Sequence, residues 1–289
     1  MRRFDEPRTL GTGVVTFIPD TMEIEAGTEE DAGWFLFRKA QVLVGTGRAS
    51  GLPIAGGLSS LLPRVVEPTP IGTLDGRRVM AGDCPADAPL PDGFAFQDLR
   101  QVYTHLPAPA ASAAGYGFQI LRWKRTSRFC GGCGHRLQDS PQERSRFCPS
   151  CGGTSYPPVY PAVIVAVTRG EEILLARAHR FRPSIFSVLA GYVEPGESLE
   201  ECVRREVREE VGIELDAVDY FGSQSWPFSS ALMVAFTARY AGGKVRADGR
   251  EIAEAGWYRH DRLPPVPGPP SIARKLIEAF VGRYGGRVP

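Results

Sequence analysis

The sequence has almost no net charge and no long apolar run, and each absence removes a class of function. Lysine plus arginine number 34 against 33 aspartate plus glutamate in 289 residues, a formal charge of +1. That balance supplies no general basic field for non-specific binding to nucleic acid or to an acidic membrane face, so an anionic substrate must be held by local chemistry. No stretch approaches the roughly 20 apolar residues that cross a bilayer, and residues 1–13 carry arginines without the apolar segment of a signal peptide. A soluble cytoplasmic protein is the expectation. With 43% hydrophobic and 23% charged residues, the chain can bury the cores of two domains with a small module between them.

Three segments are expected: a β-rich domain over 1–125, a cysteine module over 126–157 and a mixed α/β domain over 158–289. In the first, Trp34-Phe35-Leu36-Phe37, Val42-Leu43-Val44 and residues 77–81 read as strands between Gly- and Pro-rich turns, with no catalytic constellation. Residues 107–114 are small and proline-rich, and a helix is expected over 118–124 from Phe118, Leu121 and Trp123. Beyond Pro157-Pro158, the β-branched run Val163-Ile164-Val165-Ala166-Val167 predicts a buried strand, with further candidates at Ile173-Leu174-Leu175 and over 186–190.

Four of the six cysteines form two C-x-x-C pairs, Cys130/Cys133 and Cys148/Cys151, each followed by a glycine. Two intervening residues let both thiolates face one point, and the glycine permits the backbone turn around an ion. One zinc per chain is expected, structural because four thiolates leave no position open for water. Disulfides are the alternative, disfavoured in a chain without an export signal. Arg128, Arg136, Arg144 and Arg146 could make the module an RNA-binding ribbon, although such a set is more often a solvated face. Of the remaining thiols, Cys202 falls on the apolar side of a predicted helix, and nothing marks Cys84 as reactive.

The most informative stretch runs from Gly191 to Ile213. Ser198 and Glu201 make a capping box, Gly212 is placed to end the helix, and Leu199, Val203, Val207 and Val211 form a buried stripe. A helix over about 199–211 follows. Glu206, Glu209 and Glu210 then share a face near its C-terminus, where the dipole and like-charge repulsion both disfavour them. Arginines at 204, 205 and 208 could offset this on an ordinary surface helix. Divalent cations explain the crowding better, and magnesium or manganese suits such oxygen ligands.

These residues fit the Nudix box, Gly-x5-Glu-x7-Arg-Glu-U-x-Glu-Glu-x-Gly-U, at Gly191, Glu197, Arg205, Glu206, Val207, Glu209, Glu210, Gly212 and Ile213. The chain thereby resembles the Nudix hydrolases. The resemblance implies an α/β/α sandwich that hydrolyses a nucleoside diphosphate linked to another group. It implies that Glu206, Glu209 and Glu210 hold metal together with the Ala190 carbonyl, that Arg205 positions the glutamates and that Glu197 supports the loop.

Downstream, Ser223-Gln224-Ser225-Trp226-Pro227-Phe228-Ser229-Ser230-Ala231 resembles the Ser-Gln-Pro-Trp-Pro-Phe-Pro-x-Ser signature of bacterial NADH pyrophosphatases. Five of the eight fixed positions match, and Ser225, Ser229 and Ala231 differ. Read alone, Trp226-Pro227-Phe228 is a stiff apolar turn. The resemblance implies that Gln224, Ser225, Trp226, Pro227, Phe228, Ser229 and Ser230 contact substrate. It adds Glu143 and Tyr156 near the ribbon, Tyr192 against a substrate ring, backbone contacts from Ala273, and Glu251 as a further metal ligand. It further implies two or three magnesium or manganese ions, cleavage of NADH or NAD to NMNH or NMN plus AMP, removal of NAD caps from RNA, and a homodimer. Two rival readings stay open: a Nudix hydrolase for ADP-ribose or nucleotide sugars, and a zinc-ribbon RNA-binding protein whose Nudix fold is silent.

Overall fold

The computed structural model describes residues 17–19, 32–46, 58, 61–179 and 185–288; the expectation for 1–13 lies outside them. The chain divides into two compact units, Met1–Pro157 and Pro158–Pro289.

In the first unit, β1 (Phe17–Pro19), β2 (Gly33–Arg38), β3 (Gln41–Gly45), β4 (Val66–Leu74), β5 (Arg77–Asp83) and β6 (Phe94–Asp98) form one sheet in the order β1-β4-β5-β2-β3-β6. Among the described residues only β2 and β5 run parallel. The expected runs at 34–37, 42–44 and 77–81 lie in β2, β3 and β5. α1 (Leu99–Tyr103) is capped by Asp98, whose side chain accepts from the Arg100 and Gln101 N–H groups.

The helix expected over 118–124 is far longer. α2 (Ala108–Thr126) takes in the small-residue segment, with proline in its first turn. Proline is tolerated there because the first N–H groups have no intrahelical partner, and alanine has the highest helix propensity. Its small residues also permit close packing on the sheet. A Cβ at Gly117 would stand 3.0 Å from Ala81 Cβ and 3.2 Å from Ile71 Cδ1.

The cysteine module follows as β7 (Gln138–Asp139), β8 (Arg146–Phe147) and β9 (Thr154–Ser155), a small antiparallel sheet. It is tied to the end of α2. Arg146 is buried, donating to the Lys124 and Ser127 carbonyls at 2.8 and 3.0 Å and to Asp139 at 2.6 Å. Arg144 donates to the Pro70 carbonyl. The solvated arginine face expected from sequence is therefore corrected for these two residues: one satisfies orphan carbonyls at a helix C-terminus, where a cation is also favoured by the dipole.

The second unit holds β10 (Tyr160–Arg169), β11 (Glu172–Ala178), β12 (Leu189–Tyr192), α3 (Leu199–Val211), β13 (Ile213–Trp226), β14 (Ala231–Gly243), β15 (Ile252–Arg259) and α4 (Ile272–Gly282). The sheet order is β13-β14-β10-β11-β15, with β12 paired to β10 and only β10 and β14 parallel. Alternation along β10 explains its unbroken apolar sequence. Val163, Val165 and Val167 pack with Val203, Val207 and Val211 of α3, while Ile164 and Ala166 pack with Leu276, Ile277 and Phe280 of α4. The unit is thus an α/β/α sandwich. Each fully buried valine of α3 contributes about 1.5–3 kcal/mol relative to an exposed one. The strand expected over 186–190 is displaced to β12, because Gly191 and Tyr192 extend the pairing with Val163 and Ala162. Among the described residues no helix is long and apolar enough to cross a membrane.

Candidate active site and zinc centre

α3 begins and ends where local chemistry dictates. The Glu201 N–H donates to Ser198 Oγ at 3.3 Å, the Ser198 N–H donates to Glu201 Oε2 at 2.7 Å, and Gly212 closes the helix at φ 70°. With the valine stripe fixed on the sheet, Arg205, Glu206, Glu209 and Glu210 project from the remaining faces.

Arg205 is the hub of that group. Its Nε and Nη2 donate to the two oxygens of Glu197 at 3.0 and 2.6 Å, its Nη1 to Glu206 at 2.9 Å and to Glu209 at 3.1 Å, and its Nη2 also to the Tyr192 carbonyl at 3.0 Å. Glu197 in turn accepts the Glu194 N–H at 2.7 Å, closing the loop before the helix. Arg204 and Arg208 direct their hydrogen bonds away from the helix glutamates: Arg204 donates to the Leu215 and Asp216 carbonyls, and Arg208 pairs with Glu214, with only a lesser charge interaction with Glu209. The thiol of Cys202, fully buried, lies 3.5 Å from Arg205 Nη2 and 3.4 Å from the Tyr192 carbonyl. Burial and the neighbouring Glu197 push that thiol up to about 12, so it stays protonated.

Two carboxylates that share one guanidinium titrate in opposite directions, because burial dominates at only one of them. The Arg205 hydrogen bonds, with the Glu194 N–H, bring Glu197 down to about 2. Glu206 is instead raised, chiefly by burial and further by the charges of Glu209 and Glu251, although Arg205 opposes the rise. Glu210 is 8% exposed. A carboxylate in such surroundings needs compensating partners. The Glu206 carboxylate also lies against the β12 backbone, since a Cβ on Gly191 would come within 1.9 Å of its Cδ. Only glycine fits there.

The donor set suits a hard divalent cation: carboxylates at Glu206, Glu209 and Glu210, with Glu251 near enough to act on Glu206 electrostatically and the Ala190 carbonyl one residue before Gly191. The oxygens do not close into one tight cage. Among the described residues, the one group of acid, thiol or imidazole ligands with all atoms within 4.8 Å of each other is Cys130, Cys133, Cys148 and Cys151.

Those thiols are free, with Sγ atoms 3.6 Å apart for Cys130 and Cys151 and 3.5 Å for Cys133 and Cys148. A disulfide needs about 2.05 Å, whereas the vertices of a tetrahedron with bonds of about 2.3 Å stand roughly 3.8 Å apart. Each pair is closed by a matching turn. Gly134 and Gly152, at φ 74° and 75°, donate to the Cys130 and Cys148 carbonyls at 2.9 Å. Backbone N–H groups of Cys133 and Gly132 help bring Cys130 down to about 7, while the neighbouring sulfurs push Cys151 up to about 12, as expected of thiols crowded together.

The segment from Gln224 to Ser230 forms the end of β13, one turn of 3-10 helix over Pro227–Ser229, and Ser230 in the left-handed region at φ 55°. Trp226 and Phe228 meet edge to face at 5.0 Å. Gln224 accepts the Ile272 N–H at 2.7 Å and donates to the Pro270 carbonyl at 3.0 Å, which joins this loop to the start of α4, where Ala273 lies. Tyr192 is half exposed beside Gly191. Glu143 and Tyr156 belong to the first unit and bond each other at 2.9 Å, and that bond raises the Tyr156 phenol.

Family models match three stretches: a NUDIX domain over 158–280, an NADH pyrophosphatase-like rudimentary NUDIX domain over 31–123, and an NADH pyrophosphatase zinc ribbon domain over 125–156. A relative from Stutzerimonas stutzeri, an NAD-capped RNA hydrolase NudC, is 47% identical over 75% of this chain and 78% of its own. This chain belongs to the zinc-ribbon Nudix hydrolases of the NADH pyrophosphatase family. Proteins of the same name from Pseudomonas aeruginosa and Pseudomonas fluorescens are 46% and 44% identical, each over 75% of this chain, covering 77% and 78% of their own lengths. As a member of this family the cysteine module is a zinc ribbon holding a structural ion, and the β-rich first domain, whose role the sequence left open, is a reduced Nudix fold. That second identity had no motif to signal it. The silent-fold reading also recedes, because the relatives matched over most of this chain are named as hydrolases.

Proposed function

We propose that the second unit hydrolyses the diphosphate of NADH or NAD, yielding NMNH or NMN and AMP, and removes NAD caps from RNA. The observation that carries this reading is the Arg205 hub, which holds Glu206 against Gly191 and Glu209 beside it while Glu210 is buried. Such a group is poorly matched to an ordinary surface and well matched to divalent cations on a diphosphate.

Glu206, Glu209, Glu210, Glu251 and the Ala190 carbonyl hold two or three magnesium or manganese ions in this proposal. When bound, the metal supplies charge neutralisation of the diphosphate and acidifies an attacking water. Arg205 and Glu197 are positioning residues: their paired hydrogen bonds orient the helix carboxylates and fix the preceding loop. A glutamate of the cluster accepts the proton of the water as it attacks phosphorus, and the nucleoside phosphate oxygen leaves. Tyr192, the Trp226–Phe228 pair and the flanking Ser225, Pro227, Ser229 and Ser230 wall the substrate rings. Gln224 anchors that wall to α4, where Ala273 offers backbone contacts, and Glu143 and Tyr156 add contacts to the dinucleotide. The protein acts in the cytoplasm as a homodimer.

Comparing turnover of NADH, NAD, ADP-ribose and an NAD-capped RNA with magnesium and with manganese tests the proposal. The dinucleotides or the capped RNA should be cleaved faster than ADP-ribose. A large preference for ADP-ribose would assign the altered loop, with Ser225, Ser229 and Ala231, to another substrate.

A further inference from the structure

After β14 the chain runs back past the end of α3, and the residues before β15 satisfy two sets of backbone groups. The last carbonyls of a helix lack intrahelical donors. Here the Val211 carbonyl accepts the Arg246 N–H and the Glu210 carbonyl accepts the Asp248 N–H, both at 3.0 Å. The carboxylate of the same Asp248 reaches forward. Its Oδ1 accepts the N–H groups of Arg250 at 3.1 Å, Glu251 at 3.2 Å and Ile252 at 2.9 Å, and its Oδ2 also lies 3.2 Å from the Glu251 nitrogen. Gly249, at φ 73°, permits this turn. The Glu251 carbonyl then accepts the His179 N–H at 3.0 Å, and Ile252 opens β15 opposite Ala178. Glu251 is thereby fixed on both sides of its Cα.

We propose that Asp248 is the positioning residue for the fourth carboxylate of the metal site: its N–H docks the loop on Glu210, and its side chain locks Glu251 in place relative to the helix acids. This rests on the metal assignment made above. Asp248 joins two ligand residues, Glu210 and Glu251, that lie far apart in sequence.

The test is direct manganese binding to the full-length, zinc-loaded protein, read from the paramagnetic resonance signal of the free ion, without substrate. Asp248→Ala should weaken binding about tenfold, as loss of a residue that orients a ligand commonly does. Asp248→Asn, which keeps an acceptor oxygen, should restore most of the affinity. Glu251→Gln should match the alanine variant, and adding Asp248→Ala to it should cost nothing further. Wild-type affinity in the alanine variant, or an undiminished loss in the Glu251→Gln background, would overturn the proposal. Should the alanine variant not fold, an Asn variant binding as weakly as Glu251→Gln would overturn it equally. A wild-type protein that binds manganese yet leaves NADH intact would defeat the substrate assignment and leave this inference standing.

Discussion

The two units build the same sheet around different connectors. In the first, β4-β5-β2-β3-β6 repeats the order and directions of β13-β14-β10-β11-β15 in the second, with the single parallel pair, β5/β2 and β14/β10, at the same place. Each sheet is followed by a helix packed on it, α2 after β6 and α4 after β15. They part between the second and third strands of the motif. Residues 179–212 carry Glu197, Glu206, Glu209 and Glu210, whereas residues 46–65 contain no aspartate or glutamate at all. The same sheet therefore accompanies very different connectors, and the proposed chemistry is assigned to the acid-rich one.

The sharpest way to break this comparison is to make the second connector resemble the first. Glu210→Gln should lower turnover on the order of a thousandfold, because metal-based charge stabilisation is worth several kcal/mol, while circular dichroism stays that of the wild type. Arg205→Ala should cost about a hundredfold and also lower the melting temperature, since Glu197, Glu206 and Glu209 lose a shared cation. Gly191→Ala should cost about tenfold, read as weaker manganese binding, because its methyl group must displace the Glu206 carboxylate. Cys130→Ser should change turnover least; its effects are loss of zinc by atomic absorption and a lower melting temperature. Unaltered zinc content there would contradict the ribbon.

Titration separates the two carboxylates that share Arg205. Glu206, raised by burial, binds a proton more readily folded than unfolded, so metal affinity should fall earlier on acidification than an ordinary glutamate would set. Glu197 is depressed to about 2, so the stability it contributes is fully present above the ordinary glutamate range and is lost progressively as pH falls from that range through about 2. Manganese titrations paired with far-ultraviolet dichroism from roughly pH 8 to pH 3 should show binding lost while the fold persists.

Legibility in the sequence follows the range of the interactions. α3 was readable end to end because its cap, valine stripe and terminal glycine are all local, and the cysteine turns were readable for the same reason. The first half of α2 was not: 107–114 is small and proline-rich in sequence, and its alanines Ala110, Ala111, Ala113 and Ala114 are buried in the folded unit. The buried role of Arg146 depends on carbonyls at the end of α2, some twenty residues earlier. Asp248 reads as an ordinary Asp-Gly turn, because its bond to Glu210 crosses from another element. The kinship of the two sheets was hidden most completely, since strand order is set by non-local pairing and the first connector lost the acids that would announce it.

The most direct test of the account is anomalous diffraction from a crystal of the full chain soaked in manganese. Peaks are predicted among Glu206, Glu209, Glu210, Glu251 and the Ala190 carbonyl, with none beside residues 46–65. A well-ordered α3 with no manganese among its carboxylates, or a manganese ion bound by the first sheet, would contradict it.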